Sequence, residues 1–594
     1  MFLSQQDVLI LDCQATGANP SSGSLLEIGW VRMQASQPLE TVAAVIQSYL
    51  VQLPAEIEVP RQVSRITGLK TADLVAGKPL IEVWKELMAT ISGFKPSCPT
   101  VIHFAQYEER FLRFLHLLYG GSEPFPFEII CTHQLARRLL PGLPGKGLRA
   151  IAGYFGHGVP ELRRSAHHVA ATAFVWQHIV PLLAEQGILG FDELQRWLEA
   201  PRVVSGSGTQ FPMDSALRAV LPDRPGVYRM LRSNGDILYV GKATSLKKRV
   251  HSYFHKKKAS ARSRLTMEML SQAVGLEVTV TGSALEAALL ETDLIKSYAP
   301  PYNVALRLRD RELAFFSRDL QQSSATAGVT YPLGPLPSVH SFSAFVVIHA
   351  LLKGECIFGQ TEDTESCATL LGILPEYAPD NVCFWAGVDL FRQIHGASLA
   401  RWGGVRSSML TALKRLGQQL LLKKLAEMEL AAATNASAEL IEDEGVIEDE
   451  TEVVELERVW TPEAVVHMME GIVRYGATLL RRSCWFCRLS ESSLVWESGQ
   501  TSGQRLRLLL FQEGAVSRQE DWDSCIAVPV PPGYHKSFSA RQHSFNIATY
   551  DRLRVLTTEL RRLVASSTDR KVQLCLGPNI ILQQPQLRKL FRWL

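Results

Sequence analysis

Apolar and polar positions along this chain fall into a few distinct patterns. Val8-Leu9-Ile10-Leu11 is a short continuous apolar run that ends on Asp12 and leads into the breakers Gly17-Ala18-Asn19-Pro20, the pattern of a buried strand followed by a turn. Leu25–Arg32 and Thr41–Val51 read as further strands, and Thr100–His103 as a short buried one. Over Ile81–Ile91, Glu108–Leu118, His133–Leu140, Leu148–Phe155 and His168–Leu183 apolar residues recur every three or four positions, which places them on one side of a helix. Strands followed by helices packed around them predict an α/β domain over residues 1–195. Residues 196–222, with Ser205-Gly206-Ser207-Gly208, read as a linker.

A second unit is predicted over 223–305. Gly226-Val227-Tyr228 and Tyr239-Val240-Gly241 are two apolar strands, and Asn234-Gly235 between them is a strong hairpin signal. The hairpin brings Tyr228 and Tyr239 close together. Leu246, Arg249, Val250 and Tyr253 then follow at helical spacing. Ser283-Ala284-Leu285-Glu286 is a capping box opening a helix whose Ala287, Leu290, Leu294 and Ile295 face a core, with Glu291 at the border of that stripe. Residues 306–432 read as mainly helical, most clearly at Ser407–Leu430; 433–458 as an acidic linker; and 459–594 as a small α+β region. In that last region strands are predicted at Leu494–Glu497 and Arg505–Phe511, a helix at Thr549–Leu563, and a terminal strand–helix pair. The fold class is therefore α/β and multidomain.

Composition narrows the function. A chain of 594 residues is too long for one core, and 46% hydrophobic with 20% charged residues is ordinary for a globular protein. Ten cysteines do not make a disulfide framework, and the close pair Cys484-Trp485-Phe486-Cys487 has no second CxxC to complete a zinc site, so packed thiols are expected. The longest apolar stretch, Phe342–Leu352, is too short to span a bilayer and contains His349, so no membrane segment is expected. Met1–Asp7 has neither a basic leader nor a small-residue cleavage site, so a cytoplasmic location is expected. Net charge is only +3, but charge is concentrated: Lys242–Arg264 holds nine Lys/Arg and no acid, and Glu442–Glu457 nine acids and no base. Within the basic stretch, Lys247, Lys248, Lys256, Lys257, Lys258, Arg262 and Arg264 are the candidate contacts to a phosphate backbone.

The central residues carry a family resemblance. Pro225-Gly226-Val227-Tyr228, Leu238-Tyr239-Val240-Gly241-Lys242-Ala243, Leu246-Lys247-Lys248-Arg249-Val250, Tyr253-Phe254, Leu289-Leu290-Glu291 and Pro301-Tyr302-Asn303-Val304 follow one another in order. This set resembles the GIY-YIG nuclease domain of the bacterial excinuclease subunit UvrC and its relative Cho. The resemblance implies a phosphodiester hydrolase with one Mg²⁺ or Mn²⁺, in which Glu291 is the metal's protein carboxylate and Arg249 holds the scissile phosphate. It further implies that Tyr228 activates water, that Tyr239, Lys242 and Tyr253 shape the site, and that Asn303 closes it. A tyrosine with pKa of about 10 is ionised only about once in a thousand at neutral pH, so the base role costs about 4 kcal/mol unless neighbours lower it.

The first domain resembles the DnaQ-like DEDD exonucleases, with an RNase H-like fold. The resemblance rests on Val8–Gly17, Leu26-Glu27-Ile28-Gly29, Ile66-Thr67-Gly68-Leu69, His103–Glu108, Ala136–Pro141 and His167–Ala173. That family holds two metals with four acids. Here Asp12 keeps the first acid, Gln14 replaces a glutamate, Glu108 replaces an aspartate, Thr172 replaces the last aspartate, and His167 keeps the base position. Two lost carboxylates leave too little negative charge for two hard dications, so a weak or inactive 3′–5′ exonuclease that binds DNA or a partner is expected. Phe104, where the family has asparagine, reads as core filler ahead of a base-stacking platform.

Together these imply a bacterial DNA-repair endonuclease of the nucleotide-excision type, acting on DNA and loaded by UvrA/UvrB-like proteins. The competing readings are an active exonuclease coupled to nicking and a non-catalytic DNA-binding scaffold.

Overall fold

The computed structural model describes the chain apart from residues 1, 55, 160–161, 202–208, 256–262, 304–311, 355–381, 404–407, 435–460, 499–504, 524–525, 566–571 and 592–594. It is mixed α/β and divides into two compact units. The first comprises Met1–Arg224, Tyr228–Thr279 and Pro300–Asn303; the second Pro225–Val227, Val280–Ala299 and Val304–Leu594.

In the first unit, β1 (Val8–Ala15), β2 (Leu25–Met33), β3 (Gln47–Leu50), β4 (Cys98–Ile102) and β5 (Phe127–Cys131) form a sheet of order β3-β2-β1-β4-β5. β1, β2 and β3 pair antiparallel, whereas β4 runs parallel to β1 and β5 parallel to β4. Side chains alternate along β1. Val8 and Ile10 enter a core with Trp176 of helix Ser165–Glu185, while Leu9, Leu11 and Cys13 enter another with Trp84 and Phe111 of helices Leu80–Thr90 and Glu108–Tyr119. Burial on both faces explains why the strand reads as a continuous apolar run.

Two expectations fail here. Thr41–Val51 is not one strand: Leu39–Ala44 is a helix entered through Pro38, with Val42 buried in the core, and only Gln47–Leu50 is extended. The β-branched residues suggested strand, but proline's fixed φ and the burial of Val42 win locally. Residues 196–222 are not simply a linker either. Helix Phe191–Glu199 runs across the expected boundary, Ser215–Ala219 is helical, and Met213 and Leu221 are buried in the same core as Tyr228.

β6 (Gly226–Leu231), β7 (Ile237–Ala243) and β8 (Gly275–Val280) form a three-stranded sheet of order β7-β6-β8. The predicted turn is present: Gly235 has φ +90°, Asn234 Oδ1 accepts from the Asp236 amide at 3.0 Å, and the Arg232 amide donates to Asp236 O at 2.9 Å. Helix Leu246–Ser252 is capped by Ser245, whose Oγ accepts from the Lys248 amide. Helix Arg264–Gln272 lies against helix Leu148–Tyr154. There the Gly145 amide donates to Ser271 Oγ at 2.6 Å, and a Cβ on Gly153 would collide with the Gln272 side chain. Glycine is thus required at 153 by close approach.

In the second unit, helices His340–Lys353, Val382–Trp402, Met409–Thr434 and Pro462–Leu489 share a core through Phe342, Phe345, Phe391, Leu413 and Val473. A small sheet of β9 (Ala314–Phe316), β10 (Ser323–Ser324) and β11 (Leu333–Leu336) adjoins them within this unit. β12 (Ser493–Ser498), β13 (Arg505–Gln512), β14 (Ala515–Trp522), β15 (Val572–Cys575) and β16 (Ile581–Gln583) form an antiparallel sheet of order β14-β13-β12-β15-β16. Helix Ile547–Ala565 shares its core. Helix Ala284–Tyr298 belongs to this unit, with Leu285 and Leu289 buried beside Trp496, Phe511 and Leu553.

The 28-residue helix Pro462–Leu489 was not anticipated, although Val466, Met469, Val473, Ala477 and Leu480 repeat at helical spacing. Cys484 and Cys487 sit on that helix, one exposed and the other buried, and burial pushes the Cys487 thiol up. Among the described residues no group of three or more His, Cys, Asp or Glu side chains could hold a metal ion. The expected acidic linker lies almost wholly outside the described residues. Among the described residues no helix is long and apolar enough to cross a membrane.

Candidate nuclease sites

The hairpin and its following helix gather three tyrosines. Ring centroids lie 6.1 Å apart for Tyr228–Tyr239 and Tyr228–Tyr253, and 6.5 Å for Tyr239–Tyr253. Tyr228 is buried, and its hydroxyl is 3.0 Å from that of Tyr253. The Arg249 guanidinium lies 5.3 Å from the Tyr253 ring centroid. Burial first, then the neighbouring Tyr253 and Tyr239, push the Tyr228 hydroxyl well above its ordinary range. That direction opposes a tyrosinate at neutral pH.

Asn303 does not reach into this cluster with its amide. Its Oδ1 accepts from the Val240 amide at 2.9 Å and its Nδ2 donates to Val240 O at 2.8 Å. It clasps β7 at Val240, between Tyr239 and Gly241. Gly241, part of the motif but given no role from sequence, has one here: a Cβ there would strike the Tyr228 hydroxyl, so the strand needs glycine where it passes that ring. Lys242 is half-buried on β7, and Lys247, Lys248 and Arg264 are exposed. Lys256, Lys257, Lys258 and Arg262 lie outside the described residues.

Glu291 is half-buried on helix Ala284–Tyr298, whose cap is the predicted one: Ser283 Oγ accepts from the Glu286 amide. Glu286 completes the cap by accepting from the Gly282 amide at 3.0 Å rather than from Ser283. Mg²⁺ and Mn²⁺ retain water and take one or two protein carboxylates, so a glutamate is a chemically suitable donor for either.

The first domain's residues do not fit two metals. Asp12 Oδ2 accepts from Gln14 Nε2 at 3.1 Å, and its Oδ1 is 3.3 Å from His168 Nδ1. Glu108 is buried, its Oε2 has no hydrogen-bond partner, and burial followed by the Asp12 charge pushes it up to about 9. At neutral pH it is a neutral acid. Thr172 is buried, and His167 is exposed, so it is His168 that meets Asp12. Asp12 is thus already engaged by Gln14 and His168, and the second acid is uncharged. Phe104 is not core filler: it is 50% exposed, has φ +67°, and stacks on His133 at a centroid distance of 4.1 Å.

This chemistry makes a pH prediction. The folded pKa of Glu108, about 9, lies above its ordinary value of 4.5, so the folded state holds an extra proton between those limits. Stability is therefore full below about 4.5 and falls as pH rises toward about 9. Glu108→Gln is expected to raise the unfolding temperature at pH 8–9 and change it little at pH 4, as measured by thermal melts.

Comparisons with known proteins identify the central domain. Residues 224–304 match the UvrC-like GIY-YIG domain. The chain therefore carries a GIY-YIG nuclease domain of the UvrC kind. A Mycobacterium tuberculosis protein named a bifunctional exonuclease/endonuclease is 28% identical over 311 residues, covering 51% of this chain and 45% of that one. The UvrABC system protein C of Nitrosomonas eutropha is 58% identical over 87 residues, 15% of this chain and 14% of that one. The GIY-YIG N-terminal endonuclease domain of UvrC from Thermotoga maritima, solved with its catalytic magnesium, is 34% identical, with a TM-score of 0.14 and coverage of 16% of this chain and 100% of the other. The chain spans less than half the length of these two curated relatives.

Proposed function

We propose that this protein is a metal-dependent DNA-repair endonuclease of the UvrC/Cho kind. It incises one strand near damaged or distorted DNA and leaves 5′-phosphate and 3′-hydroxyl ends. The observation that carries this is the Tyr228–Tyr239–Tyr253 cluster with Arg249 against it, inside the segment that matches the family. Glu291 would hold Mg²⁺ or Mn²⁺, which when bound neutralises charge at the phosphodiester. Arg249 grips the scissile phosphate with its planar fork. The Tyr228 hydroxyl, held by Tyr253, orients the attacking water, while Tyr239 and Lys242 line the site and Asn303 fixes β7. Loading by UvrA/UvrB-like proteins in a bacterial cytoplasm fits this role.

The first domain is proposed to have an RNase H-like, DnaQ-type fold with little or no 3′–5′ exonuclease activity. Its strand order and the positions of Asp12 and Glu108 support that reading. Exposed Phe104 on His133, with exposed Arg137 beside His133, supports a residual role in binding DNA ends.

The test is cleavage of supercoiled plasmid and of end-labelled lesion and mismatch duplexes with loading partners. Metal-dependent nicking without 3′ trimming, unchanged in Asp12→Ala, is expected. Trimming lost in Asp12→Ala would establish an active exonuclease, and absence of cleavage on every substrate a binding scaffold. Lys247→Ala and Lys248→Ala should each weaken DNA binding uniformly across sequences. Each should lower the slope of log affinity against log salt by about 1, read by fluorescence anisotropy.

A further inference from the structure

The helix that carries Glu291 is clamped along one side by the C-terminal region. Near its start, Glu286 is almost fully buried and takes a two-pronged contact from Arg507: Nε to Oε1 and Nη2 to Oε2, both at 2.9 Å. Gln519 Nε2 adds a third donor at 2.5 Å, and Arg507 Nη1 is itself held by Asp521 at 2.8 Å. In the middle, Asp293 Oδ1 accepts from Arg552 Nε at 3.0 Å and Nη2 at 2.7 Å. Toward the end, Lys296 Nζ meets Asp551 Oδ2 at 2.7 Å, with side chains only 7% and 0% exposed. Leu285 and Leu289 are buried in the same C-terminal core.

These anchors share a face. At about 100° per residue, positions 285, 286, 289, 293 and 296 fall in a sector about 100° wide, and 291 lies about 170° from its centre. Three ionic contacts spaced along the helix fix its axial position and its rotation together. A metal ligand must be held to about 0.5 Å and 10–20° of its productive geometry. Two of these pairs, Arg507–Glu286 and Lys296–Asp551, are buried beyond what a surface helix needs for solubility, and each of their charges must be matched or its desolvation is uncompensated, while Asp293 is partly exposed.

We infer that the C-terminal region positions the metal-binding carboxylate. Arg507, Arg552 and Asp551 are positioning residues that set where Glu291 stands, though none of them touches substrate. This rests on the reading of Glu291 as the metal ligand. It assigns the C-terminal sheet and helix Ile547–Ala565 a part in the chemistry, so the nuclease segment of this chain depends on a region more than two hundred residues further along.

The test uses the full chain and two readouts: Mn²⁺ binding, followed by the electron paramagnetic resonance signal of free Mn²⁺, and Mn²⁺-dependent plasmid nicking. Arg507→Lys keeps the charge but loses the fork. The double change Lys296→Met with Asp551→Leu removes a brace without leaving a buried charge, so it keeps the fold. Each is expected to weaken Mn²⁺ binding about 10-fold and shift the nicking midpoint equally, with circular dichroism unchanged. Folded variants with wild-type Mn²⁺ affinity and midpoint would overturn the inference. If Glu291→Ala itself binds Mn²⁺ and nicks normally, the assignment of Glu291 fails instead, and the two failures are distinguishable.

Discussion

Glu291→Ala is expected to abolish nicking, lowering the rate by about a thousandfold or more, because the metal's contribution to transition-state charge amounts to several kcal/mol. On the proposed assignment of Glu291 as the metal's protein carboxylate, its removal takes away the group that holds the ion. Chelation of the divalent ion should reproduce the loss in the wild type and add nothing in the variant. Arg249→Lys should be nearly as damaging. Lysine keeps the charge but not the planar pair of donors, and the guanidinium is packed against Tyr253. The measurement is single-turnover cleavage of an end-labelled duplex. Normal rates in Glu291→Ala would remove the proposed centre, whereas an effect confined to DNA affinity would make residue 291 a binding group.

Asp551→Ala carries the largest expected effect on stability. Its carboxylate is fully buried on helix Ile547–Ala565 and is paired with Lys296. Removing it takes the carboxylate partner from a largely buried ammonium, at a cost of about 3–5 kcal/mol. Denaturant unfolding followed by circular dichroism should show that loss. Replacing both partners together with methionine and leucine should recover most of it, since neither charge then remains to be desolvated. A single variant as stable as the wild type would mean that Lys296 finds water or another acid. The brace at Glu286 is the better guarded one, with two further donors around the same carboxylate.

The parts of the molecule that the sequence made legible are those where chemistry is local. The hairpin between β6 and β7 was readable because Asn234-Gly235 sets the turn through its own backbone conformation. The cap at Ser283 was readable because a hydroxyl three residues before a glutamate satisfies helix amides wherever that helix is placed. Spacing alone put Tyr228 near Tyr239 and Arg249 near Tyr253. That Gln14 and Thr172 carry no charge was likewise plain, since a neutral side chain cannot become a carboxylate in any fold.

What was not legible depends on partners far away in the chain. Nothing near Asn303 says that its amide will be spent on Val240, or near Phe104 that the ring will lie exposed on His133. The helix at Leu39–Ala44 overrode its β-branched residues because Val42 found a place in the core.

The sequence by itself determined the nuclease motif with its arginine and its helix-borne glutamate in order, and which residue types stand at positions 12, 14, 108 and 172 of the first domain. These are properties of residue type and short-range order. Only the tertiary structure decided that Glu108 is neutral, that Asp12 is occupied by His168, and that Glu286, Asp293 and Lys296 are gripped from residues 507–552. The physical reason is common to all three. Burial and long-range ion pairing set the charge and position of a side chain, and both are fixed by what the fold brings around it rather than by its neighbours in the chain.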